Sequence, residues 1–110
     1  MITPLACSLV GQQQWVEIHP GTRASSLYGG SRAEEDYYCN YGVEPSYRHT
    51  LEDGGLTVSG TGANGEIRMI ELAGHPFFMA TLFLPQMRST AVSPHPIIAG
   101  YAAAVRARPR

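Results

Sequence analysis

The sequence predicts a single α/β domain, a mixed sheet with hairpins and about three short helices. Three observations carry this. The run from Pro76 to Leu84 (PFFMATLFL) is apolar without alternation, the pattern of a strand covered on both faces. The stretches Leu56–Gly60 and Glu66–Leu72 flank Asn64-Gly65, which signals a type I′ hairpin. Capping and breaking residues cut much of the rest into short helical pieces.

Taken in order, residues 5–10 (LACSLV) form a short apolar run, followed by GQQQ and then Trp15, Val16 and Ile18, which reads as a β-hairpin. His19-Pro20-Gly21 is a turn. Thr22 caps a short helix carrying Ala24, Leu27 and Tyr28, and Gly29-Gly30 ends it. Residues 35–41 (EDYYCNY) read as an aromatic-rich strand. Pro45 suits a first helical position, Tyr47 and Leu51 share a face, and Gly54-Gly55 stops that helix. Pro94 and Pro96 precede a last helix whose positions Ile97, Ile98, Tyr101 and Val105 follow a helical period. Three short helices are little cover for a strand apolar on both faces. Either a second chain or a further portion of the fold supplies the cover, or the chain's own hairpins do.

Composition narrows the function classes. The 110 residues carry a net charge of −1, so no basic excess exists for a dedicated nucleic-acid or anionic-membrane surface. All eight basic residues are Arg, which excludes a P-loop lysine and a Schiff-base lysine. No apolar run approaches the ~20 residues of a membrane span, and the N-terminus lacks a signal-peptide pattern. Cys7 and Cys39 are too few for a disulfide scaffold; one bridge stays open, with reduced thiols in a cytoplasmic protein as the default.

From Ser8 onward the order SLVG, PGTRASSLYG, then PSYRHTLEDGGLTVSGTGANGEIRMIELAGHPFFMATLFLPQM and finally SPHPIIAGY resembles the C-terminal part of the class I glutamine amidotransferase domain of CTP synthase. The likeness is nearest to the CTP-synthase C-terminal-region-related proteins. It implies a flavodoxin-like α/β fold in which a Cys-His-Glu set hydrolyses glutamine. It also implies that residues 1–110 are one partial domain lacking the half that bears the nucleophile elbow. The family's catalytic His and orienting Glu fall on Leu84 and Gln86, which can neither take a proton nor carry a charge. Cys7 does not replace the nucleophile, because Leu5 and Leu9 stand where the elbow needs glycine. The family's arginine-rich stretch aligns with Asp36 to Gly42, where no Arg remains.

The resemblance therefore implies a degenerate glutaminase-like protein without glutaminase activity of its own, a structural or binding component. Self-association or a separately encoded N-terminal half would complete it. The alternative is a small-molecule enzyme reusing the old glutamine pocket around Cys39, with Tyr37, Tyr41, Asn40, Glu35 and Asp36 as contributors. Cys39 reads equally as an inert buried thiol, and the acidic run Glu34-Glu35-Asp36 as a solvated strand start. Of the histidines, His19, His75 and His95 precede Pro in turns or helix entries, and with His49 they show no metal-ligand spacing. No cofactor or metal is implied. Trp15 reads as an anchor on a hairpin or an interface.

Overall fold

The computed structural model of the chain describes residues 2–5 and 8–107. The reading of Cys7 as strand interior lies outside the described residues. The described residues form seven strands and three α-helices: β1 (Ile2–Pro4), β2 (Gln12–Ile18), α1 (Arg23–Tyr28), β3 (Arg32–Tyr37), β4 (Tyr41–Val43), α2 (Arg48–Asp53), β5 (Leu56–Thr61), β6 (Ile67–Leu72), β7 (Met79–Thr81) and α3 (Pro96–Ala107). Five strands form one sheet in the order β3-β2-β5-β6-β7, and β1 pairs with β4 apart from it. Every pairing among the described residues is antiparallel, so the parallel part of a mixed sheet is not among them.

The helices arise where their signals stand. Thr22 Oγ1 accepts the Ser25 N–H, and Gly29 ends α1. A second cap was not foreseen: the buried Glu71 carboxylate of β6 accepts the N–H groups of Arg23 and Ala24 at 2.7 and 3.2 Å. A carboxylate there meets donors that the helix cannot satisfy itself. A 3-10 turn at Pro45–Tyr47 leads into α2, as Pro45 announced. Gly100 lets α3 lie close on α1, since a Cβ at that position would stand 2.6 Å from Leu27.

The strand pairing differs from expectation in three places. The expected hairpin of residues 5–10 with β2 is not found among the described residues; β2 pairs with β3, and Leu5 and Leu9 instead donate backbone N–H groups to Asn40 and Cys39. The expected strand 35–41 breaks into β3 and β4, with Cys39 in the connection. The β5–β6 turn is not type I′, because Asn64 keeps a negative φ. Gly65 N–H bonds the Gly62 carbonyl at 3.1 Å, and only Gly65 takes the left-handed conformation. Such a turn needs one residue at positive φ, where type I′ needs two.

The apolar run 76–84 is the most instructive departure. Only Met79–Thr81 is strand, and it lies at the sheet edge. Phe83 is 1% exposed while Phe78 is 44% exposed, so the run is not covered on both faces. Part of the run still reaches the core: Phe83 packs with Leu9, Val16, Ile18, Ala24, Tyr37, Met69 and Ile97, and Phe77, Met79 and Leu82 lie against that cluster.

Candidate functional site

Two polar clusters surround the core end of β3. The first centres on Glu35, which is fully buried. Strand alternation turns Glu35 and Tyr37 inward, toward α1 and the entry of α3. Glu35 Oε2 accepts from Tyr28 Oη and lies 2.6 Å from His95 Nε2. The Ile97 N–H donates to His95 Nδ1 at 3.1 Å. Nδ1 is thus an acceptor, and a ring with one proton carries it on Nε2, facing the carboxylate. Both ring nitrogens are engaged, so His95 has no free lone pair for general-base work. Arg88 Nη1 stands 3.4 Å from Glu35 Oε1, close enough for charge attraction but outside hydrogen-bond geometry. Burial, then the hydrogen bond to Glu35, pushes the Tyr28 phenol far above its ordinary value. The cluster ties α1, β3 and the entry of α3 together through Glu35 Oε2, while Glu35 Oε1 has no hydrogen-bond partner among the described residues. His95 was foreseen only as a helix entry; its partner lies 60 positions away and no local pattern announces it.

The second cluster centres on Arg68 of β6. Its side chain is 6% exposed and its Nη2 lies 3.3 Å from Glu66 Oε2. The guanidinium carbon sits 5.6 Å from the centre of the Tyr37 ring. The Tyr37 hydroxyl is buried and has no hydrogen-bond partner among the described residues. Burial pushes this phenol well up, and the Arg68 charge acts against that. Burial also pushes the Cys39 thiol up, again opposed by Arg68. Gly62 makes room for the ion pair, since a Cβ there would stand 3.0 Å from Glu66 Oε2 and 3.3 Å from Arg68 Nε.

The structure divides the residues singled out from sequence. Glu35 belongs to the first cluster, and Tyr37 and Cys39 approach the second. Asp36 is half-buried, and its carbonyl receives the Leu84 N–H at 2.9 Å. Asn40 and Tyr41 are exposed, Tyr41 by 57%. Leu84 and Gln86 flank the start of a 3-10 turn, Pro85–Arg88, that lies against β3. Arg68 and Glu66 were missed. The signal was there: Arg68 stands between the apolar Ile67 and Met69 of a predicted strand, two residues from Glu66. Among the described residues no group of three metal-binding side chains converges, and no helix is long and apolar enough to cross a membrane. Trp15 is 48% exposed on β2, with the Arg32 guanidinium 4.2 Å above its ring.

No family model matches the chain. By fold it is a glutaminase-type α/β domain: it superposes on the glutaminase domain of Trypanosoma brucei CTPS, solved with bound acivicin, at a TM-score of 0.82 and 23% identity. That superposition covers 96% of this chain and 42% of the trypanosomal one. By sequence it is 39% identical over 88 residues to CTP synthase of Rubrobacter xylanophilus. It is 38% identical over 104 residues to CTP synthase of Saccharolobus solfataricus. The chain belongs with the C-terminal glutamine amidotransferase domain of CTP synthase. It covers 79% and 94% of itself in these two matches, but spans only 16% and 19% of the relatives' lengths.

Proposed function

We propose that the chain is a scaffold of the glutaminase type without glutaminase activity of its own, a structural or binding component completed by a second polypeptide. The observation that carries this reading is the open edge of β7. In an antiparallel ladder a residue sends its N–H and C=O to the same side. Leu72 and Arg68 bond Phe78 and Leu82 across the β6–β7 pair, so the intervening odd residues, Met79 and Thr81, turn theirs outward. No described residue meets them. The edge is apolar and uncharged from residue 76 to 84. One hollow beside it is lined by Phe77, Phe78, Met79, Ile97, Ile98 and Tyr101, and another by Ile70, Ala80, Leu82 and neighbours. A free edge of this kind is a template for another strand. The opposite edge, β3, is closed by the 3-10 turn and by Arg88, which donates to the Glu34 carbonyl.

The loss of glutaminase chemistry follows from side chains. Leu84 offers no proton acceptor and Gln86 no charge to orient one. His95 does not stand in, because Ile97 and Glu35 occupy its ring. The alternative, an enzyme built on Cys39, has less support: a thiol pushed up by burial supplies little thiolate near neutrality.

Light scattering on the eluting purified chain tests the reading. The expected result is a dimer or larger species, with Ala80→Lys, an exposed position on β7, shifting it to monomer at unchanged circular dichroism. A well-folded, stable wild-type monomer would overturn it.

A further inference from the structure

We infer that the hollow between the β5–β6 turn and the segment preceding β2 binds a short aliphatic carboxylate, with Arg68 as its anchor. The hollow encloses about 370 Å3, within the range of small-molecule sites of roughly 300–1,000 Å3. Its walls are Leu5, Leu9, Gln14, Asn64, Glu66 and Arg68. A guanidinium presents five N–H donors in a planar fork. Among the described residues Arg68 uses one of them, on Glu66 at 3.3 Å, although its side chain is almost wholly buried. Its other guanidinium nitrogens are not sealed from solvent, and a carboxylate entering the hollow meets two donors at once.

The surroundings favour that ligand over a bare anion. The guanidinium carbon lies 5.6 Å from the centre of the Tyr37 ring, a cation–π contact that helps to hold Arg68. Leu5 and Leu9 form an apolar wall suited to a methylene stem, and Gln14 and Asn64 offer amides at the rim. Glu66 does not close the site. It is 37% exposed, and one of its oxygens already takes the Asn64 N–H at 2.6 Å. The assignment needs only the hollow and Arg68. A monomer that binds the ligand would sink the docking of β7 and leave this inference standing.

Calorimetric titration of the full chain with succinate and with butyrate, at low ionic strength, is the test. The expected result is saturable one-site binding of at least one acid, weakened about tenfold or more by Arg68→Met, the size of a lost charge-assisted pair. Ala63→Glu, at an exposed position on the hollow's rim, places a competing carboxylate there and is expected to abolish binding while the chain stays folded. It decides the matter should Arg68→Met fail to fold. Absence of saturable binding to both acids, binding untouched by the folded variants, or equal binding of inorganic phosphate would overturn the assignment.

Discussion

Glu35 and Arg68 are both buried charges beside Tyr37, yet they are treated differently. Glu35 is met by Tyr28 and His95, with Arg88 close by. Arg68 has one long contact to a partly exposed Glu66. Around Glu35 one carboxylate oxygen is answered by Tyr28 and His95 and the other faces the Arg88 charge, and the set joins three elements. Around Arg68 a single side-chain hydrogen bond leaves donors beside an open hollow, the arrangement the proposed ligand would use. The contrast separates a buried charge that holds the fold from one available for binding.

Breaking the first cluster carries the largest expected effect. Glu35→Ala removes the acceptor of two buried groups and is expected to cost about 3–5 kcal/mol in denaturant unfolding. A loss under about 1 kcal/mol would mean that the cluster is ornamental. The phenols sharpen the same point through pH. Tyr28 and Tyr37 both lie above the ordinary phenol value of 10.0 in the fold. A raised folded value contributes stability that is complete below 10 and lost as pH climbs above it. Denaturation midpoints should therefore hold through neutrality and fall above pH 10, and a flat profile to pH 12 would contradict the burial of both rings. Arg68→Met should be mild by comparison, within about 1.5 kcal/mol of wild type or stabilising, because an apolar side chain replaces a buried charge held by one long contact and leaves Glu66 to solvent. If it costs as much as Glu35→Ala, the two clusters are of one kind. The smallest effect concerns Cys39. Alkylation by iodoacetamide should run slower than for an exposed thiol at pH 8 and gain speed at higher pH, since the raised thiol carries less thiolate.

Local chemistry in the sequence reached the helices well. Thr22, Pro45 and the turn before Ile97 each mark a real helix start, because capping is decided within a few residues. Strand partners were less legible. The apolar residues before Gly11 suggest a hairpin with β2, but Leu5 and Leu9 bond the connection between β3 and β4 instead, a pairing across some thirty residues. The run 76–84 is apolar enough for a covered strand, and the structure leaves much of it bare. Composition alone did not show that Phe83 would be buried and Phe78 exposed within one run. The candidate site was half legible. Tyr37 and Cys39 were singled out by type, whereas Arg68 and His95 draw their roles from neighbours distant in sequence.

The central claim is that Leu84 and Gln86 leave a glutaminase scaffold without its proton acceptor. Ammonia release from L-glutamine by the purified chain alone tests it most directly. The account predicts no release above the protein-free rate, and none gained by Leu84→His combined with Gln86→Glu, since those two changes supply no nucleophile. Sustained turnover by the wild-type chain, at an enzyme's rate of roughly 1 per second or faster, would contradict it.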